Sequence, residues 1–316
     1  MYIVNKEGTN IRLSWLRIIY FVLIILFVIF LVNQFPGLDK GLHQLKLSKT
    51  PYYLLVFGFS IASFFMAALS YYFLSFKKLK YFRTVIMQFA SNAINKILPA
   101  GIGAIGSNYL YLKNNGSSAL AAGASVLVNN VLGVLASITL FIVFVGFNLS
   151  HNFKFSKIAL IYILIASLFI IIVVLSVLSI HRIRSKFLIF IKKFINQLLV
   201  YKKYKRKIFY AFLSQLMLAL FNILALYVSL RSIDSNLSLV AIMVSYSFAI
   251  WIGTLIPAPG GLGSVDAGLV SALLAYGITL PYALAGVLIF RLINFFSPLL
   301  IGIPALIYVR YKKYIN

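Results

Sequence analysis

The stretch Ile256-Pro257-Ala258-Pro259-Gly260-Gly261-Leu262-Gly263-Ser264-Val265-Asp266 decides how this chain folds. It interrupts a long apolar region with two prolines, three glycines and an aspartate, in a chain that has only four acidic residues. Proline removes a backbone donor and glycine admits irregular backbone. At membrane depth such backbone survives only where protein or a water-filled cavity covers it. The stretch is therefore expected to be the tip of a broken helix, and it is the first place to look for a site.

Outward from it, the composition is that of a membrane protein. Of 316 residues, 62% are hydrophobic and 10% charged, with a mean hydropathy of +1.01. A soluble domain carries about a quarter charged residues. There is no cysteine, which excludes disulfides, thiol nucleophiles and cysteine metal sites. His43, His151 and His181 fall between apolar runs, and of the acids Glu7, Asp39, Asp234 and Asp266 only the last lies inside one. Paired-carboxylate and histidine-centred catalysis thus have almost no raw material, and no catalytic residue, metal or cofactor is assigned.

The apolar runs predict an all-α polytopic protein forming one integral membrane domain over 1–316. Six runs read as full transmembrane helices: Ser14–Val32, Pro51–Phe76, Ala119–Phe147, Lys157–Ile180, Ile208–Leu230 and Pro281–Val309. Two further segments are broken. Thr84–Leu98 is short, at about 22 Å against a ~30 Å hydrocarbon core, and stops at Pro99-Ala100-Gly101-Ile102-Gly103-Ala104-Ile105-Gly106 before a second arm, Ser107–Leu112. Leu237–Ile256 is long enough to span; it runs into the opening stretch, and Ser264–Tyr276 is its second arm. Residues 181–207 form a basic connector between halves 51–180 and 208–310. It reads equally as an interfacial amphipathic helix or as a solvated linker.

The net charge of +25 is segregated by the runs. With both termini, 77–83, 113–116 and 181–207 on the cytoplasmic side, that side holds 21 lysines and arginines against 6 on the other. This parity makes the first broken segment begin and end inside, and the second begin and end outside. Both are expected to be re-entrant hairpins whose tips meet. The breaks resemble each other: Leu98-Pro99-Ala100 with Gly103 and Gly106-Ser107 parallels Ile256-Pro257-Ala258 with Gly260, Gly261 and Gly263-Ser264. Matching breaks in oppositely oriented halves are the pattern of an inverted repeat with a central binding site.

The expected hairpin tips are therefore Pro99, Gly101, Gly103, Gly106, Pro257, Pro259, Gly260, Gly261 and Gly263. Away from the ends of the runs, Lys96, Asp266 and Arg291 are the charged residues within apolar segments, and such residues need partners or a function. With Asn95 and Asn294 they form the expected head-group or anion site, a phosphate held by Arg291 and Lys96. Each has a plainer reading. Asp266 suits a helix N-terminus, Arg291 suits an ion pair with Asp266, and Lys96 can extend its amine towards water. Asn92, Asn129, Asn130 and Asn222 add polar groups suited to interhelical hydrogen bonds.

Pro-Ala-Pro-Gly-Gly-Leu-Gly at 257–263, with Asp266 three residues on and a small/apolar helix after it, resembles the transmembrane region of lysylphosphatidylglycerol synthases and of flippase-like membrane proteins. Asn95 with Leu98-Pro99 matches the first-half motif, and Arg291 matches the second-half arginine. The first-half Gly-Glu pair is missing at Ala104-Ile105-Gly106, and Asn129-Asn130 stand near the place of a further arginine. The resemblance implies a bacterial or archaeal plasma-membrane protein that handles anionic phospholipid or lipid-linked head groups. In the synthases an aminoacyl-transferase domain follows the membrane part. Here Tyr311–Asn316 closely follow the last span, so lysyl transfer is not expected of this chain.

The leading expectation is a lipid translocase with membrane lipids as its partners. The alternatives are a non-transporting subunit that supports an enzyme of lipid or envelope-glycan synthesis, and a secondary transporter of a small anion. No Gly-Lys-Ser/Thr phosphate loop is present to use ATP.

Overall fold

The apolar runs become helices in the computed structural model, which describes residues 50–98, 101–147, 201–233, 235–255, 259–312 and 314–315. The helices are α1 (Thr50–Leu74), α2 (Tyr81–Ile97), α3 (Ile102–Asn114), α4 (Ala119–Phe147), α5 (Lys205–Arg231), α6 (Leu239–Leu255), α7 (Ser264–Ala275), α8 (Leu280–Arg291) and α9 (Ser297–Tyr311). A π-helical segment, Leu292–Phe296, fuses α8 to α9. No strand occurs among the described residues.

Four of the six expected spans are long and apolar enough to cross a membrane: Pro51–Leu74, Ala119–Val143, Lys205–Arg231 and Leu280–Tyr311. The other two, Ser14–Val32 and Lys157–Ile180, lie outside the described residues, as does the connector up to residue 200. Leu127, Val131, Val134, Ile138 and Ile142 leave an exposed apolar stripe along α4.

α1 and α5 run antiparallel and are joined at two levels by polar groups, part-buried at the first and buried at the second. At one level Ser60 donates to Asn294 Oδ1 (2.7 Å), and Asn294 Nδ2 donates to Asn222 Oδ1 (3.1 Å). At the other, Asn129 Oδ1 accepts from Ser70 Oγ and from Gln215 Nε2, each at 2.7 Å. These asparagines make the interhelical hydrogen bonds expected of polar groups at membrane depth.

The two broken segments are antiparallel helix pairs. The arms α2 and α3 are tied by a polar ladder: Thr84 to the Tyr111 hydroxyl (3.0 Å), Gln88 to Asn108 (2.8 Å) and Ser91 to Ser107 (2.7 Å). The arms α6 and α7 meet instead through small residues, with Gly253 against Val265 and Gly268 against Ala249. At 17, 13, 17 and 12 residues the arms measure about 26, 20, 26 and 18 Å, each less than a ~30 Å core. The first arm of the second pair, expected over Leu237–Ile256, is thus shorter. Ser238 Oγ accepts the Ala241 N–H (3.2 Å) and starts the helix there.

The pairs open at opposite ends of the molecule. The open end of α2/α3 adjoins the starts of α2 and α5 and the end of α9. There Lys207 donates to the Ser75 carbonyl (3.3 Å), Asn114 donates to the Tyr314 carbonyl (3.2 Å), and Arg83 lies 5.5 Å from the Tyr314 ring centre. Lys77, Lys78, Lys205, Arg206, Arg310 and Lys312 are exposed at this end. At the other end Gly286 of α8 packs against Leu230 and Ile233, beside Leu273 and Ile278 of the second pair. One apolar core surrounds each pair: Met87, Phe89, Tyr111 and Val309 belong to the first, and Leu226, Ile242, Leu269 and Ile289 to the second.

Candidate functional site

The closed ends of the two pairs touch. Gly260, at φ 59°, lies in a short 3₁₀ turn, Pro259–Gly261, that contacts α2. A Cβ on Gly260 would fall 2.6 Å from Phe295 Cε2 and 3.2 Å from Lys96 Cδ. Left-handed backbone and lack of space both call for glycine here. Gly261 (φ 69°) and Gly263 (φ 84°) continue the irregular path into α7.

Asp266 binds this path to α8. Its Oδ2 accepts the Gly263 N–H (3.0 Å), satisfying an amide at the start of α7, and its Oδ1 accepts Nε–H from Arg291. Arg291 Nη2 also donates to the Gly261 carbonyl (3.1 Å). The two side chains are 27% and 14% exposed, so the pair is largely withdrawn from solvent. The helix-terminus and ion-pair readings of Asp266 therefore hold together.

Lys96, in the last turn of α2, lies with Nζ 4.1 Å from the Phe295 ring centre, a cation–π contact. The π-helical turn that carries Phe295 has a local cause. Pro298 has no N–H to give the Asn294 carbonyl, and its ring crowds that carbonyl. Phe295 was not legible as a site residue, although Pro298 four residues beyond Asn294 is the signal for the distorted turn.

Lys96, Asp266 and Arg291 thus gather around Gly260 and Gly261. Asn95 and Asn294 serve neighbouring structure. Asn95 Oδ1 accepts the Ala104 N–H (3.3 Å) and caps α3 across the first break, and Asn294 is held between Ser60 and Asn222. Pro99 and Pro257 lie outside the described residues. Among the described residues of the first tip, Gly101, left-handed at φ 73°, is the turn residue. Gly103 and Gly106, expected at the tip, are inside α3, because the Asn95 cap starts that helix at Ile102. A Cβ on Gly103 would stand 2.8 Å from Asn95 backbone atoms, so this glycine lets the arms approach. Gly106 lines a groove of about 280 Å³ between α3 and α4, with Ile105, Tyr109, Gly123 and Asn130.

The junction holds the Arg291 guanidinium, the buried Lys96 amine and one carboxylate. Both oxygens of that carboxylate are engaged by Arg291 and Gly263. Lys96 has no carboxylate partner among the described residues.

The profile of the family described as lysylphosphatidylglycerol synthase TM region matches residues 17–302. No curated protein matches the chain.

Proposed function

The chain belongs to the lysylphosphatidylglycerol synthase transmembrane-region family, and from that premise we propose that it binds lipids with anionic head groups and moves them between leaflets. Membership and the four spans make it a multi-pass membrane protein tied to lipid metabolism. The observation that carries the finer reading is the junction itself. Two broken helix pairs, open at opposite ends, meet at an excess of positive charge. A desolvated cation without a counter-charge is costly at membrane depth, and a phosphate oxygen relieves that cost. The head group would cross beside the Gly260 turn while the acyl chains stay in lipid.

On this reading the pairs are re-entrant hairpins of an inverted repeat, with the basic end and both termini cytoplasmic in a bacterial or archaeal plasma membrane. The chain positions and moves its cargo and performs no covalent step of its own. Partner enzymes of lipid or envelope-glycan synthesis would supply or consume that cargo.

The test is reconstitution into liposomes carrying labelled phosphatidylglycerol. The parent protein is expected to equilibrate label between leaflets faster than empty vesicles. Lipid movement no faster than in empty vesicles contradicts translocation. Uptake of a soluble anion without lipid movement would replace it with the small-anion reading.

A further inference from the structure

The face of α2 that meets the second break carries more unused hydrogen-bond donors than the proposed function requires. An ammonium has three N–H donors. Lys96 Nζ gives none of them to an oxygen among the described residues, and it lies over the Phe295 ring. One turn earlier on the same face (i, i+4), Asn92 Nδ2 is buried and has no hydrogen-bond partner among the described residues. Buried donors in a finished structure are paired almost without exception, and an unpaired amide is a cost that needs a reason. Of the other amides in this core, Asn95, Asn108, Asn129, Asn222 and Asn294 are bonded, while Ser264 Oγ at the start of α7 shares with Asn92 Nδ2 the lack of a partner among the described residues.

We infer that Asn92 and Lys96 are the oxygen-binding pair of this site, and that the ligand class they fit is a singly charged phosphodiester. Arg291 is then a positioning residue. Its Nε and Nη2 are committed to Asp266 and to the Gly261 carbonyl, and they hold the glycine turn against α2. With the Lys96 amine protonated, Lys96 and Arg291 against Asp266 carry one excess positive charge, which one phosphodiester anion neutralises. A phosphomonoester dianion would overshoot. A zwitterionic head group brings its own cation into contact with Lys96. The Phe295 ring faces the Lys96 amine where the anion would come, and the ring yields it because a cation–π contact is weaker than a charge-assisted hydrogen bond.

The inference rests on the lipid head-group reading, and the experiment separates the two. The full chain in detergent is titrated calorimetrically with dioctanoyl phosphatidylglycerol, dioctanoyl phosphatidic acid, dioctanoyl phosphatidylcholine and the lipid-free diester glycerophosphoglycerol. The parent is expected to prefer phosphatidylglycerol. Lys96→Gln should weaken that binding by about tenfold or more, and Asn92→Leu by about threefold or more. Phosphatidylcholine binding should not change in either variant. The ligand-free Lys96→Gln protein should melt at a higher temperature than the parent, since it loses an uncompensated buried charge. A structural lysine would give the opposite shift. Unchanged phosphatidylglycerol affinity in Lys96→Gln overturns the assignment while leaving a lipid site in place. So does an equal loss for phosphatidylcholine. Glycerophosphoglycerol binding as tightly as phosphatidylglycerol, with the same Lys96 dependence, keeps the phosphodiester pair and overturns the lipid reading.

Discussion

Asp266 and Arg291 close the second break from two helices. The carboxylate takes the Arg291 Nε–H on one oxygen and the Gly263 N–H on the other, while Arg291 reaches on to the Gly261 carbonyl. A turn with three left-handed glycines is thereby tied to α8 through one ion pair.

Breaking that pair should be costly in proportion to its burial. Arg291→Gln or Asp266→Asn alone leaves an uncompensated charge and should lose about 3–5 kcal/mol of stability. The double variant should recover part of that loss, with a coupling of at least ~1 kcal/mol. Unfolding in mixed micelles measures it. Strict additivity would show that the pair does not hold the turn.

Glycines within and against the first pair separate packing from turn geometry. Gly103→Ala puts a methyl 2.8 Å from Asn95 backbone atoms, and Gly302→Ala puts one 2.7 Å from the Phe89 carbonyl oxygen. Each should cost about 1–3 kcal/mol. Gly106→Ala meets no atom within 4 Å and should be neutral, or better by up to ~1 kcal/mol. The same unfolding assay ranks the three, and a destabilised Gly106→Ala would restore that residue to the tip.

Asn129 organises the polar level between α1, α4 and α5. Asn129→Ala removes the acceptor of Ser70 and Gln215 and should cost about 1–3 kcal/mol. Asn129→Leu with Gln215→Leu removes both sides and should fall closer to the parent. Equal losses in the single and double variants would argue against a shared network.

The lengths of the apolar runs gave the four described spans nearly to the residue, because a span is set by bilayer thickness and needs no tertiary information. Ala119–Phe147 is one helix in both readings. Of the segments that the charge rule grouped, 77–83, 113–116, 201–207 and 310–312 are described and lie at one end. The breaks were visible as proline and glycine, but not how each glycine is used. Gly101 turns the chain, whereas Gly103 admits a neighbouring backbone, and only the packed partner distinguishes them. Lys96, Asp266 and Arg291 stood out because charge is rare in apolar sequence. Phe295 did not, since a phenylalanine in a span is ordinary; Asn92 stood out only as a group expected to bond between helices, because an amide without a partner is a property of its surroundings.

The account depends most on the two helix pairs entering from opposite faces and meeting at Lys96 and Gly260. The cysteine-free chain makes this measurable by labelling with a membrane-impermeant maleimide in sealed vesicles. Lys113→Cys marks the open end of the first pair and Thr279→Cys that of the second, both at exposed positions. The account predicts that the two label from opposite sides, with Lys113→Cys sharing its side with Lys312→Cys. Labelling of Lys113→Cys and Thr279→Cys from the same side would contradict it.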